Sequence, residues 1–143
     1  MNLWLKVIFV CSGNSYRSPV AEALLKKYAA AGVEADSAGT SPINYISVHA
    51  QEFLEKEGAA QFLKESPEGI DSKRLQDYDL IVAMELKNEF SVLRRCPECA
   101  GRVEVWNVDD PYGKTMEYEQ EIYQQIKTKV QQLAERLKQE TRP

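Results

Sequence analysis

The sequence predicts an α/β fold, a three-layer sandwich in which helices cover both faces of a central four-stranded parallel sheet. Two observations support this prediction. Compact apolar runs of strand length alternate along the chain with segments of helical composition, the pattern of successive strand–helix units. The first apolar run is nearly continuous, as expected for a strand that is buried on both faces of a parallel sheet.

The first third of the chain predicts one strand–helix–strand unit. Residues 3–10 read LWLKVIFV, an apolar run rich in β-formers that indicates a central strand. Residues 19–31 start with proline and continue with strong helix formers, and Gly32 is placed to end the helix that they predict. Residues 33–38 predict the second strand, which turn-forming residues follow.

The middle of the chain is less regular. Residues 48–56 predict a helix that Gly58 stops. In residues 59–76 the apolar positions fit no single period, and Pro67 and Gly69 interrupt them. We therefore expect a loop with one short helix in this segment.

The last third of the chain continues the alternation. Residues 79–84, DLIVAM, predict the third strand, residues 85–93 a helix and residues 103–106 the fourth strand. The final helix is predicted by apolar residues at spacings of three and four, which form a stripe that can cover one face of the sheet. These residues are Ile122, Ile126, Val130, Leu133 and Leu137.

Length and charge limit the classes of protein to be considered. A chain of 143 residues with 43% hydrophobic content can fill one core, so we expect a single domain over residues 1–143. Its formal charge of −4 argues against nucleic acid and anionic lipid as partners. No apolar run approaches the roughly 20 residues that cross a bilayer. The N-terminus also lacks a signal-peptide pattern, so we expect a cytoplasmic protein without a membrane partner.

The three cysteines of the chain pose a separate question. An odd number without an export signal predicts at least one free thiol. Cys96 and Cys99 form a CPEC motif, a spacing found in redox pairs and in half of many zinc sites. Because a complete zinc site needs two more ligands, we expect no metal and favour structural cysteines, with a redox pair as the alternative.

The loop between the first strand and the first helix carries the residue types of a reactive site. It reads CSGNSYR, from Cys11 to Arg17, and lies beyond the carboxyl end of a strand, where open parallel sheets bind ligands. Gly13 and Asn14 tolerate unusual backbone dihedral angles, so backbone N–H groups can turn inward and form an anion cradle at the helix N-terminus.

This cradle suits phosphoryl chemistry. Its field favours the thiolate of Cys11, and the planar guanidinium of Arg17 matches two oxygens of a phosphoryl group. We therefore expect Cys11 to be a nucleophile and Arg17 to bind and stabilise the transferred group. The alternative is that Cys11 only ends a buried strand as a small apolar residue.

The segment CSGNSYRSPVAEA resembles the low-molecular-weight protein tyrosine phosphatase family, whose loop has a cysteine, five residues and then Arg-Ser-Pro before a helix with Ala-Glu. The motifs SAGT, DLIVAME and DPYG follow in the family's order over most of the chain. The resemblance implies the phosphotyrosine protein phosphatase I type of flavodoxin-like or Rossmann-like fold. It also implies hydrolysis of phosphotyrosine in proteins through a phosphocysteine intermediate, with no cofactor.

Phosphoryl transfer to a thiolate needs a proton donor for the leaving oxygen and later a base for water, and one carboxyl group can serve as both. The candidates are Asp109 and Asp110, which precede Pro111. Similarity to the family's Asp-Pro-Tyr motif selects Asp110 and implies that Tyr112 is an aromatic wall of the pocket. From composition alone, DDPYG can also be a turn without a catalytic role.

The resemblance further implies supporting and substrate-binding residues. Asn14 and Ser37 would keep the loop in shape by hydrogen bonds, and Ser18 would steady the thiolate as it leaves phosphorus. Tyr45 is a candidate for the rim. The predicted substrate-binding residues are Ser12, Gly13, Asn14, Ser15, Tyr16, Ser18, Ser37 and Tyr112.

Two features depart from the family's pattern. Most members have a second cysteine just before the arginine, which can protect the nucleophile as a disulfide, but this chain has Tyr16. We therefore expect peroxide to drive Cys11 past the sulfenic state unless Cys96 or Cys99 can reach it. The family's histidine-containing segment before the third strand is not matched by residues 62–75.

Three alternative functions stay open at this point. Ser15 is small and polar, where arginine phosphatases have threonine and tyrosine phosphatases usually a bulkier apolar residue, so phosphoarginine is an alternative substrate. Cys96 and Cys99 admit a thiol-coupled arsenate reductase, although Pro19 and Asp110 favour a phosphatase. A phosphoprotein-binding module without catalysis is the third alternative. For the phosphatase we expect a phosphotyrosine protein as substrate, a cognate tyrosine kinase as a candidate partner, and a monomer or weak dimer.

Overall fold

The central sheet has the predicted size and direction. The computed structural model describes residues 5–140. The sheet contains four strands: β1 (Leu5–Cys11), β2 (Val33–Gly39), β3 (Leu80–Ala83) and β4 (Val103–Val105). All neighbouring strands are parallel, and their order across the sheet is β2-β1-β3-β4. The prediction of a four-stranded parallel sheet is confirmed, and the predicted start of the first strand at residues 3 and 4 lies outside the described residues.

Helices cover both faces of this sheet. Within residues 5–140, the four α-helices are α1 (Arg17–Tyr28), α2 (Val48–Glu57), α3 (Leu86–Arg95) and α4 (Met116–Glu140). Because side chains alternate along a strand, Val7, Phe9 and Cys11 of β1 pack in a core with residues of α1, α2 and α4. Ile8 and Val10 pack in a second core with residues of α3. The result is three layers with β1 in the middle.

Local sequence determines where the helices begin and end. The side chain of Ser47 accepts a hydrogen bond from the backbone N–H of Ala50 at 3.2 Å, which starts α2, and Gly58 ends it in the left-handed conformation at φ 76°. Helix α1 ends at Tyr28, before the predicted end at residue 31, because Ala29 already has extended backbone. Gly32, at φ 94°, lies in the turn into β2.

The irregular segment over residues 59–76 differs from the prediction of one short helix. It contains three 3₁₀ turns, at Ala60–Phe62, Ile70–Ser72 and Leu75–Asp77. Ile70 and Leu75 are buried in the core on the α3 side, so isolated apolar residues fix the segment without a helical stripe. This explains why no single hydrophobic period is visible there.

Helix α4 has the predicted apolar stripe. Ile122, Ile126, Val130, Leu133 and Leu137 are all buried, and they belong to the core that also contains α1. The opposite face of the helix is largely exposed. Across residues 5–140, the structure has no helix with the length and apolar character needed to cross a membrane.

Candidate active site

A pocket of about 340 Å³ opens at the carboxyl edge of the sheet, where β1 ends. The loop at residues 11–17 forms its floor, and residues 41–47 and 110–113 contribute walls. The predicted residues that line it are Cys11, Ser12, Gly13, Ser15, Tyr16, Arg17, Tyr45, Asp110 and Tyr112. Ser41, Ile43, Ser47, Pro111, Gly113 and Glu119 complete the lining.

The backbone of the 11–17 loop is oriented as an anion cradle. Four of its carbonyl oxygens accept backbone N–H bonds from residues 40–47: those of Cys11 (3.0 Å), Ser12 (2.8 Å), Gly13 (3.1 Å) and Ser15 (3.0 Å). Since the carbonyl and N–H of one peptide unit point in opposite directions, these bonds turn the following N–H groups toward the pocket floor. Asn14 makes the turn in left-handed backbone at φ 52°, and its N–H lies 3.2 Å from Cys11 Sγ.

Cys11 is a free thiol at the base of the pocket. It is only 2% exposed, and its Sγ lies 2.9 Å from the hydroxyl oxygen of Ser18. The Asn14 N–H and the N-terminus of α1 also act on the sulfur. A backbone donor and a helix N-terminus are therefore directed at the side chain that the sequence predicts to be the nucleophile.

Arg17 is a buried cation with three polar contacts. Its side chain is 2% exposed, and Nη1 donates to Glu85 Oε1 at 2.6 Å and to the carbonyl oxygen of Val108 at 2.8 Å. Nη2 lies 3.5 Å from Asp110 Oδ2. Because an unpaired buried charge is costly, Glu85 is needed to hold the guanidinium in the pocket floor.

Glu85 was not among the site residues predicted from the sequence. This residue is the second after β3 and forms a capping box with Asn88 at the start of α3, so both elements fix its position. Asn88 in turn donates to Ser12 Oγ at 3.3 Å. Its position in the sequence could have indicated Glu85 as a site residue, because polar residues that closely follow a parallel strand lie at the same sheet edge as the 11–17 loop.

The two candidate carboxylates lie in different environments. Asp110 lines the pocket beside Arg17, and its Oδ1 accepts the N–H of Tyr112 at 3.1 Å. Asp109 is not among the lining residues and accepts the hydroxyl of Tyr118 at 3.0 Å, a bond that raises the pKa of this tyrosine. The geometry therefore favours Asp110 as the group that acts on a bound substrate.

Three residues of the predicted substrate-binding set lie behind the loop and do not line the pocket. Asn14, Ser18 and Ser37 are completely buried. Asn14 Nδ2 donates to Ser18 Oγ at 2.8 Å and to Ser37 Oγ at 3.0 Å, and Ser37 donates to Glu22 at 2.6 Å. These hydrogen bonds therefore support the loop on the side that faces away from the pocket, which we call its rear side.

Tyr16 joins the loop to two helices. Its ring is 7% exposed and meets Phe53 edge to face, and its hydroxyl donates to the carbonyl oxygen of Glu119 at 2.6 Å. Burial, and then the nearby Glu119 carboxylate, raise the pKa of Tyr16 far above its ordinary value. The Glu119 carboxylate lies 2.6 Å from His49 Nδ1, so the only imidazole of the chain pairs with a residue of the pocket wall.

Cys96 and Cys99 are joined in a disulfide, a pairing that the favoured expectation of ordinary structural cysteines did not include. Both are fully buried with Ile8 and Val10, on the face of the sheet opposite the core that contains Cys11. Between Leu5 and Glu140, no three histidine, cysteine or carboxylate side chains are grouped so as to hold a metal ion.

Comparison with known proteins identifies the family of this chain. Residues 6–142 match the model of the family described as low molecular weight phosphotyrosine protein phosphatase. The low molecular weight protein-tyrosine-phosphatase Etp of Escherichia coli is 31% identical, with 92% of this chain and 93% of that protein covered. An arsenate reductase of Brevibacillus brevis is 34% identical, with 90% and 93% covered.

A solved structure extends the comparison to three dimensions. The YwlE arginine phosphatase of Geobacillus stearothermophilus superposes with a TM-score of 0.84 at 26% identity, over 95% of this chain and 94% of that one. The family match covers nearly the whole chain, including the loop, Arg17 and Asp110. The chain therefore belongs to the low molecular weight phosphotyrosine protein phosphatase family.

Proposed function

We propose that this enzyme hydrolyses phosphotyrosine in proteins through a phosphocysteine intermediate on Cys11. The observation that carries the proposal is the arrangement at the pocket floor. The Cys11 sulfur, the inward N–H groups and the Arg17 guanidinium face one small space, and the Asp110 carboxyl borders it. A phosphoryl group in that space has a nucleophile on one side and a proton donor on the other.

The first step transfers the phosphoryl group to the enzyme. The Cys11 thiolate supplies the electron pair for the new S–P bond, and the bond between phosphorus and the phenolic oxygen breaks. Asp110, in its protonated form, gives its proton to that leaving oxygen. Arg17 and the loop N–H groups stabilise the charge on the equatorial oxygens during the transfer.

The second step regenerates the enzyme. Asp110, now a carboxylate, takes a proton from water while the water oxygen attacks phosphorus, and the S–P bond breaks to release inorganic phosphate. The Cys11 thiolate leaves with the electron pair of that bond. The Ser18 hydroxyl, at 2.9 Å from the sulfur, is placed to donate a hydrogen bond to it as the charge returns.

The walls of the pocket support an aromatic substrate. Ile43, Tyr45, Pro111 and Tyr112 contribute apolar surface above the loop, and Tyr45 and Tyr112 are more than half exposed at its mouth. A flat ring between these side chains gains apolar burial and ring contacts. A phosphoserine side chain is too short to reach the same walls when its phosphate occupies the floor.

Phosphoarginine is the second candidate substrate, and one specific observation favours it. Ser15 lines the pocket and leaves space there, and the nearby carboxylates of Asp110 and Glu119 suit a guanidinium group. Glu119 is already paired with His49, which makes it a weaker partner. We therefore place phosphoarginine second.

Arsenate reduction is less well supported. A thiol relay needs a second cysteine that can attack a group on Cys11. Cys96 and Cys99 are bonded to each other and lie in the core on the other face of the sheet. The substrate protein, a cognate tyrosine kinase and a cytoplasmic place of action remain predictions from the sequence.

Turnover of an aryl phosphate and of phosphoarginine, each measured with chelator present, tests the proposal. We expect the wild type to prefer the aryl ester, Cys11→Ser to lose turnover, and acid-quenched wild type to carry phosphate on Cys11 by mass spectrometry. Asp110→Asn should lose about 10²–10³-fold in kcat on phenyl phosphate, and less on an ester with a better leaving group.

Asp109→Asn is the matched control, because it removes the neighbouring carboxylate that points to Tyr118. We expect this variant to keep wild-type turnover. Preference for phosphoarginine would reverse the ranking of the two substrates. Full activity of Cys11→Ser would contradict the phosphocysteine mechanism.

A further inference from the structure

Lys64 is a buried cation without a role in the proposed reaction. Its side chain is 9% exposed and lies behind the 11–17 loop, outside the set of pocket-lining residues. Its Nζ donates to Asn14 Oδ1 at 2.9 Å and to the carbonyl oxygen of Ser37 at 2.9 Å, and lies 2.7 Å from Glu68 Oε1. It belongs to the irregular segment that departs from the family's pattern.

Lys64 fixes the orientation of the Asn14 amide. An ammonium group can only donate, so its partner must be the amide oxygen. The backbone N–H of Glu68 donates to the same oxygen at 2.8 Å. With two donors on Oδ1, both hydrogens of the Asn14 NH₂ group point the other way, toward Ser18 and Ser37.

The orientation of Asn14 in turn sets the hydrogen bond to the nucleophile. Ser18 Oγ accepts from Asn14 Nδ2 at 2.8 Å, so its single hydrogen remains for Cys11 Sγ at 2.9 Å. A hydroxyl that donates to sulfur favours the thiolate over the thiol. The hydrogen bonds thus form one chain in which each donor points away from the Lys64 ammonium and toward the Cys11 sulfur.

We infer that Lys64 is a positioning residue for Cys11, which acts through Asn14 and Ser18 to keep a hydroxyl donor directed at the thiolate. The inference rests on the proposed function, in which Cys11 is the nucleophile. Polarisation along such a chain strengthens each bond, and a cation at its start strengthens the donor at its end.

Several other charged groups surround this chain of bonds. Arg17 and Asp110 line the pocket together with Cys11, and Glu22 of α1 lies behind the loop, at 4.0 Å from Lys64. Burial acts to raise the pKa of Glu68, but hydrogen bonds from Lys64 and Lys73 outweigh it and lower the pKa below its ordinary value. Glu68 therefore stays charged at neutral pH and keeps Lys64 in place.

The test measures the pH dependence of Cys11 alkylation by iodoacetamide, which requires no phosphatase activity. Cys11 is the only thiol outside the disulfide, and mass spectrometry identifies the modified residue. For Lys64→Met we expect the midpoint of the alkylation profile to move up by about 0.5–1 pH unit. Lys64→Arg, which keeps the charge and the donors, should recover most of this shift.

Lys73→Met is the matched control. Lys73 also contacts Glu68, at 3.1 Å, and Asp36, at 3.0 Å, but it does not bond to Asn14. We expect its alkylation midpoint to match wild type. Far-ultraviolet circular dichroism and melting curves of all variants report any loss of folding separately.

A double variant tests the route through Asn14. In an Asn14→Gly background, which keeps the left-handed backbone accessible, adding Lys64→Met should produce no further shift of the midpoint. Turnover of an aryl phosphate by Lys64→Met should fall several-fold at neutral pH. A folded Lys64→Met with the wild-type midpoint, or an equal shift in Lys73→Met, would overturn the inference. If the wild-type protein did not hydrolyse the aryl phosphate at all, the proposed function would be wrong.

Discussion

Replacing Gly39 with alanine tests how the sheet sets the shape of the 11–17 loop. Gly39 is the last residue of β2 and lies directly against the loop. A Cβ atom at this position would lie 2.6 Å from the carbonyl oxygen of Ser12 and 3.0 Å from two atoms of Asn14. All of these neighbours except the Asn14 Cβ are backbone atoms, so no flexible side chain can move aside to relieve the overlap.

The size of the effect follows from these distances. An ordinary contact begins at 3.4 Å, so the loop or the strand must move by about 0.8 Å. Overpacking of this kind costs about 1–3 kcal/mol of unfolding free energy, or a melting temperature lower by roughly 3–10 °C in a chain of this size. A displacement near 1 Å at reacting atoms costs about 10²-fold in rate, so we expect kcat/KM on an aryl phosphate to fall by that factor.

The assay compares kcat/KM and melting temperature for Gly39→Ala, Gly101→Ala and wild type. Gly101 is the control, because a Cβ there would meet no atom within 4 Å. We expect Gly101→Ala to match wild type in both measurements. If Gly39→Ala kept wild-type kcat/KM, contact with β2 would not control the loop, and the account of the anion cradle would be wrong.

Two further predictions concern oxidation and pH. Mild peroxide should convert Cys11 to forms that thiol reductants do not restore, because Cys96 and Cys99 lie on the other face of the sheet. If mass spectrometry found Cys11 in a disulfide with Cys96 or Cys99, this prediction would be wrong. Burial acts to raise the pKa of Glu57. Hydrogen bonds from Tyr28, Tyr123 and Lys127 outweigh burial, so the pKa of Glu57 is lowered. The charged Glu57 carboxylate therefore stabilises the fold at any pH above about 4.3, the ordinary pKa of a glutamate. This stabilisation is lost as the pH falls through the lower pKa that Glu57 has in the folded state. Denaturant unfolding of Glu57→Gln should show a loss of about 1 kcal/mol at pH 7 that shrinks below pH 4, and an equal loss at both pH values would refute the assignment.

The fold and the front of the site were predictable because their signals are local. An uninterrupted apolar run marks β1, and the residues that follow such a strand must lie at the carboxyl edge of the sheet. Cys11 ends β1, Arg17 begins α1 and Asp110 follows β4, so topology brings them together although Asp110 is far away in sequence. The family resemblance was needed to choose Asp110 over Asp109.

The rear of the site was not predictable from local pattern. Lys64 is 50 residues from Asn14 and belongs to a segment of 3₁₀ turns without hydrophobic periodicity, so no spacing rule connects the two. Without the family resemblance, local pattern also does not separate Asn14 and Ser37, which are buried, from Ser12 and Ser15, which line the pocket. Sequence pattern identified the loop, but the side of the loop on which each residue lies depends on backbone dihedral angles.

Tyr16 anchors the 11–17 loop at a position where most family members have a cysteine that can protect the nucleophile. A cysteine there could protect Cys11, but it would be too short to reach Phe53 or the carbonyl oxygen of Glu119, both of which Tyr16 contacts. The raised pKa of Tyr16 keeps its hydroxyl protonated, so the bond to Glu119 persists across the neutral pH range. The loop is thereby held to α2 and α4 at its C-terminal end, just before Arg17, while Lys64 and Asn14 hold it from behind. These contacts hold the anion cradle at two places, and because Tyr16 is not a thiol we expect oxidised Cys11 to have no neighbouring cysteine that can restore it.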